Sequence, residues 1–263
     1  MKQYLKDNTK VREDILNQKL FFELKEASAR QKVHLKIHLS DVDIDGFDII
    51  IDNNDDLLGK YQLKSRLDAE TAYSDIHSIM LRPNSYLFDS FEFFEPIGCA
   101  FDHRGVILID ADVISNKIIC EYSYLDIYIL RALELGIFKI NNQSKRKAEE
   151  HLRLLRFNGV NSNVKVETLD SLFIPVKDAD SLLEIMGFNS IYNTNIPNNI
   201  LEISKIVSGT SHTKYETKEA KIEAMGPRWS HIQSELKKIE HPKYPLNCIP
   251  LSDKYFDIAP LKP

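Results

Sequence analysis

Apolar residues recur at three- and four-residue steps through Val11, Ile15, Leu16, Leu20, Leu24 and Ala27, the spacing of an amphipathic helix from about Asn8 to Arg30. Glu13 and Glu23 interrupt its buried stripe. The rhythm then changes to two. In VHLKIHL, Val33, Leu35, Ile37 and Leu39 share one face and His34, Lys36 and His38 the other, which predicts a half-buried strand. After the loop SDVDIDG, the run FDIIID from Phe47 to Asp52 predicts a second strand, NNDD a turn, and KYQLKS from Lys60 to Ser65 a third strand pairing back. Asp68 is placed to N-cap a helix through Ala69 to Leu81, which Pro83 limits, and GVILID from Gly105 to Asp110 predicts a further strand. The predicted order is helix, three strands, helix, strand. Beyond Lys139, KRKAEEHLRLLRF predicts a basic helix, VKV a short strand, and DADSLLEIMG a helix capped by Asp178 and closed at Gly187. Trp229 is expected to be a packing anchor, and the proline-rich stretch from Pro242 to Pro263 an extended surface tail.

These elements define a mixed α/β chain of 263 residues, enough for one large domain or two small ones. Between Gly136 and Val166 seven Lys or Arg stand against two Glu, and this shift places a boundary near residue 140, dividing 1–140 from 141–263. The net charge of −5 argues against coating nucleic acid or an anionic membrane through the overall field. Cys99, Cys120 and Cys248 form no CxxC pair, which fits a reducing cytoplasm. The N-terminus has no apolar signal core, and no run approaches the roughly 18 apolar residues of a membrane span. Among nine glycines there is no GxGxxG and no GK[ST] loop, and HExxH, GxSxG and zinc-finger spacings are also absent.

The acidic excess is concentrated. Seven aspartates and no basic residue lie between Ser40 and Asp56, which outweighs the whole chain's net charge and leaves the remainder mildly basic. Two carboxylates about 5 Å apart repel by roughly 3 kcal/mol at an effective dielectric near 20, so such a cluster calls for a cation or for wide spacing. The period of two sets Asp48 opposite Phe47, Ile49 and Ile51, and sets Gln62 and Lys64 together opposite Tyr61 and Leu63. If the apolar faces join one core, Asp48, Gln62 and Lys64 converge on the other face. Asp48 and the Gln62 carbonyl offer the hard oxygen ligands that Mg²⁺ prefers, and Lys64 a charge able to orient a water or neutralise a transition state. Glu23 on the first helix is a further candidate acid, with Glu13 having an equal geometric claim.

GFDIIID followed by YQLKS resembles the metal-binding signature of the PD-(D/E)xK, or restriction-endonuclease-like, nuclease superfamily. The resemblance covers roughly residues 8 to 112, and the order helix, three strands, helix, strand is also that family's αβββαβ core. It implies that Asp48 is the first acid, Gln62 the middle position, Lys64 the lysine and Glu23 the helix acid. It implies further a Mg²⁺- or Mn²⁺-dependent endonuclease hydrolysing DNA phosphodiester bonds, with residues 141–263 as a mixed helical extension for substrate recognition or dimer contacts. A homodimer would cut both strands, and by analogy the chain fits restriction or antiviral defence, alone or with a partner protein. Glutamine replaces the acidic middle residue, a QxK form similar to that of Mrr-like members, and it removes a charge from the metal site. The alternative is therefore a catalytically silent binding or regulatory protein on a nuclease-like scaffold.

Other constellations compete with this one. Asp41, Asp43, Asp45 and Gly46, with Asp52 in twelfth position, match the opening of an EF-hand loop, which needs a helix on each side. His34 and His38 have zinc-like spacing, but along a strand they lie about 13 Å apart and cannot share an ion. Arg146, Arg153 and Arg156 fall within one helix face, broken by Glu149, and Lys214, Lys218 and Lys221 sit in or beside the polar loop around Ser211 and His212. These cations are candidates for DNA-backbone contacts as well as for solvated faces.

Overall fold

The two-residue alternation builds a six-stranded mixed sheet. The computed structural model describes residues 1–40, 46–53, 57–68, 75–94, 102–157, 163–165, 169–188 and 195–252. Helices α1 (Lys2–Asp7) and α2 (Thr9–Arg30) lead into β1 (Lys36–Leu39), β2 (Ile49–Asp52) and β3 (Leu58–Leu67), an antiparallel meander. β4 (Asp75–His77) and a 3₁₀ turn (Ser78–Leu81) follow, and then β5 (Asp102–Ile114), which runs parallel to β3. Ser115 and Asn116, at φ of 50° and 60°, make the tight turn into β6 (Lys117–Asp126), antiparallel to β5. The remaining elements among the described residues are α3 (Ile127–Leu135), β7 (Phe138–Lys139), α4 (Ser144–Phe157), β8 (Asn163–Lys165), a second 3₁₀ turn (Asp170–Leu172), β9 (Ile174–Val176), α5 (Ala179–Ile185), α6 (Ile196–Ser208), α7 (Lys218–Ile239) and β10 (Asn247–Cys248). The sheet order is β1-β2-β3-β5-β6-β9.

Elements from both sides of residue 140 share this sheet and its core. β9 pairs with β6, β8 with β4 and β10 with β7, and one hydrophobic cluster runs from Leu5 to Leu246. The composition change near residue 140 therefore does not coincide with a break in packing. Trp229 is buried within α7 and its indole N–H donates to Ile249 O at 2.8 Å. The end of the proline-rich tail, from residue 253, lies outside the described residues.

Three expectations are corrected. The helix from Ala69 to Leu81 does not form over its described part, which is β4 and the 3₁₀ turn; residues 69–74 lie outside the described residues. Ile76, Met80 and Leu81 satisfy a helical spacing, yet β4 finds a partner strand in β8 and all three side chains are buried without a helix. Asp68 is not an N-cap: its φ is 58° and its carboxylate pairs with Lys2 at 2.5 Å and Lys6 at 3.2 Å. On α2, Leu16, Leu20, Leu24 and Ala27 are buried as expected, but Val11 and Ile15 are exposed. They line up with exposed Phe22 on the opposite side of the helix, so α2 carries two apolar stripes rather than one.

Helix α4 buries Ala148, His151, Leu152, Leu155 and Arg156, steps of three and four along one face. His151 Nε2 has no hydrogen-bond partner among the described residues, and burial pushes the imidazole pKa down to about 4 from 6.5. The unfolded chain therefore takes up this proton first as pH falls. Stability from His151 is intact above pH 6.5 and is lost progressively toward pH 4, by about 3 kcal/mol in all. Urea unfolding at pH 7 and pH 4.5 should show the wild type losing more stability than His151→Leu. Equal losses in the two proteins would contradict the assignment.

Candidate metal centre

The register of the sheet decides which predicted residues meet. Ile49 lies opposite Tyr61 across β2 and β3, so Asp48, just before β2, sits beside Gln62. Ile49, Ile51 and Tyr61 are fully buried on one face, and Leu63 is nearly so. Asp48, Gln62 and Lys64 belong to the other face by parity. The Asp48 backbone N–H donates to Tyr61 O at 2.9 Å, and its Oδ2 accepts from Leu63 N–H at 2.6 Å. The carboxylate thus takes over the ladder where the two strands part.

Gln62 is buried, and its Oε1 accepts from the His77 N–H at 3.1 Å. The backbone donor fixes the amide orientation, because only the oxygen can accept that bond. Val106 and Leu108, on the same face of β5, are buried as well. This face is therefore roofed by β4 and the 3₁₀ turn. Gly46, with φ of 71°, runs close beneath the roof, and a Cβ there would lie 2.6 Å from His77 Cβ. His77 is the neighbour that the sequence pattern missed, since it becomes visible only once β4 is placed. Lys64 is half-buried and has no ion-pair partner among the described residues.

Glu23 does not join this group. Ile109 lies opposite Tyr122, and the β3 partner of Ile109 is Ser65, so Tyr122 shares the face of Ser65 and not that of Lys64. The Tyr122 hydroxyl donates to Glu23 Oε2 at 2.6 Å, and Lys19 pairs with Oε1 at 2.5 Å. The sheet separates Glu23 from Lys64. Burial and then Glu23 push the Tyr122 phenol far above its ordinary range, so it stays a donor. Glu13, the competing acid, is exposed on α2.

The other candidates sort by environment. Arg156 is buried rather than DNA-facing: its guanidinium binds Glu134 at 2.7 and 3.0 Å and Phe91 O at 3.1 Å. Arg146 is exposed and pairs with Glu150 at 2.7 Å, and Arg153 is exposed. Lys214 is exposed and Lys218 half-buried at the start of α7. The EF-hand reading lacks its helices, since β1 and β2 flank the loop; Asp41, Asp43 and Asp45 themselves lie outside the described residues. His34 and His38 are exposed, and no three His, Cys, Asp or Glu side chains gather as a metal site among the described residues. No helix among them is long and apolar enough to cross a membrane.

No protein-family model matches the chain, and neither curated proteins nor solved structures match it.

Gln62 holds the roof to the sheet. Gln62→Leu should cost about 1–3 kcal/mol by leaving the His77 N–H without an acceptor, whereas Gln62→Glu keeps an acceptor there. Urea midpoints of the two variants check this. A Gln62→Leu protein as stable as wild type would show that the bond does not hold the roof.

Proposed function

We propose that the protein is a Mg²⁺- or Mn²⁺-dependent nuclease acting on DNA phosphodiester bonds. The observation that carries the reading is the common face of Asp48, Gln62 and Lys64 at the point where β2 and β3 part. The order helix, three-stranded meander, then a further strand beside the third supports the resemblance in YQLKS and FDIIID, although the intervening helix is replaced over its described part. Two oxygen donors suit Mg²⁺, which commonly takes one or two protein ligands and completes its shell with water and substrate phosphate. Asp48 and the second lone pair of the Gln62 carbonyl would hold it, and the bound ion would polarise the scissile phosphate. Lys64 contributes a positive charge on the same face, where it orients the hydrolytic water or balances charge developing on phosphate. Exposed Arg153 and Lys214 would contact backbone phosphates, with Lys218 at the start of α7 and with Arg146 once it leaves Glu150. The reading extends to a dimer for cutting both strands, to the cytoplasm, and by analogy to restriction or antiviral defence with or without a partner protein.

A second reading has its own observation. The Gln62 carbonyl already serves the His77 N–H, and Glu23 is across the sheet, so the centre holds a single carboxylate from the predicted set. A silent nuclease-like scaffold that binds a partner or an ion fits those facts.

Cleavage separates the two. With Mg²⁺ or Mn²⁺ the purified protein should cut plasmid or single-stranded DNA, and Lys64→Ala should lower the rate by about 100-fold or more. A wild type that cuts neither substrate, or a Lys64→Ala protein that cuts as well, would sink the nuclease reading.

A further inference from the structure

We propose that a cleft between the segment following the 3₁₀ turn and helices α6 and α7 binds an unpaired nucleotide of single-stranded nucleic acid, stacking its base on Tyr86. This deepens the nuclease reading and rests on it only for what happens to the strand afterwards. The cleft holds about 620 Å³, a volume suited to a small organic ligand. Tyr86 is 64% exposed, although the residues on either side of its turn are packed: Asn84 is buried and its Oδ1 accepts the Tyr86 N–H at 3.0 Å. A backbone fixed by an Asn turn and a ring left in the open describe a platform rather than a core residue.

The chemistry around the ring is that of a flat, anionic ligand. Arg228 lines the cleft from α7; its Nη1 donates to Ala224 O at 3.2 Å, and it has no carboxylate partner among the described residues. Lys205 Nζ stands over one face of the Tyr86 ring, 5.8 Å from its centroid, and pairs with Glu202 at 2.7 Å, so a base takes the ring's other face or displaces this ammonium, and Arg228 is the cation left for a phosphate. Asn198 lines the same wall from the first turn of α6, and its side-chain amide makes no hydrogen bond among the described residues, so it can both donate to and accept from a base edge. Asn199 is committed to Asn195 O at 2.9 Å.

A base within a duplex shows only its edges, so stacking on an open tyrosine selects an unpaired one. The location fits a strand passing from one site to the other. His77, bound to Gln62, and Tyr86 belong to one described stretch and are nine residues apart in number, at most about 30 Å of chain.

The test is anisotropy of a fluorescent single-stranded oligodeoxynucleotide, and of the same sequence as a duplex, in EDTA so that no cleavage intervenes. The single strand should bind more tightly than the duplex. Tyr86→Ala should weaken single-strand binding by about tenfold or more, Tyr86→Phe should keep it, and Arg228→Gln should weaken it while lowering the salt dependence by about one charge. The exposure of Tyr86 makes both of its variants compatible with folding, and their thermal melts verify that. No single-strand binding by the wild type, equal binding of the duplex, or undiminished binding by Tyr86→Ala overturns the proposal. If the wild type binds single strands through Tyr86 yet cuts no DNA with Mg²⁺ or Mn²⁺, the cleft stands and the nuclease reading falls.

Discussion

Asp126 is a fully buried carboxylate, and the register of the sheet depends on satisfying it. Its Oδ2 receives the Tyr124 hydroxyl at 2.9 Å and faces His103 Nε2 at 3.0 Å, while its Oδ1 caps α3 by accepting Ile129 N–H at 2.7 Å. A carboxylate left alone in that position would cost several kcal/mol, so strand, helix cap and ring must arrive together. Tyr124 reaches it only because residue 105 is glycine: a Cβ there would come within 2.6 Å of the phenol oxygen. Gly59 makes the same allowance for Tyr61, at 2.3 Å. Burial first, and the charge of Asp126 next, hold both phenols protonated far above their ordinary range. Two glycines and one aspartate thus align β3, β5 and β6, and alternation along β3 leaves Gln62 and Lys64 on the face opposite Tyr61.

A second charged group ties the helices to the segment that follows the 3₁₀ turn. Glu134 of α3 binds Arg131 and Arg156 together, and Arg156 reaches on to Phe91 O. Burial would raise the Glu134 carboxyl, but the two guanidinium groups outweigh it and keep its pKa below the usual range. Arg82 and Arg156 lie 5.8 and 5.7 Å from the Phe93 ring. Residues 82–94 are held from both ends by these contacts, which leaves Tyr86 as an exposed tip on a fastened segment.

The parts of the fold with a clear period were legible. Alternation found β1, β2, β3 and β5, three- and four-residue spacing found α2, the basic helical pattern found α4, and a cap residue found α5, where the Asp178 carboxylate accepts the Ser181 N–H. What failed was whatever needs a partner distant in sequence. Ile76 reads equally as helix or strand until β8 is known to pair with β4. Arg156 reads as one of three basic residues on a helix face until Glu134 and Phe91 turn it inward. The site divided along the same line. Parity within a strand put Asp48, Gln62 and Lys64 together, whereas nothing in the spacing of α2 says which side of the sheet Glu23 faces, and Tyr122 decides it.

The placement of Glu23 has a chemical consequence under the nuclease reading. Among the described members of the predicted set on this face, Asp48 supplies the one carboxylate and Lys64 the one ammonium. One carboxylate and one amide oxygen hold a divalent ion weakly, because a single charge repays little of the cost of stripping its water. Under that reading the phosphates of the strand would add to the charge that holds the ion. Metal and substrate would load together rather than in sequence. A glutamine at position 62 is compatible with that order: it keeps the roof in place through His77 and contributes an oxygen, without creating the pair of repelling carboxylates that an acid there would set beside Asp48.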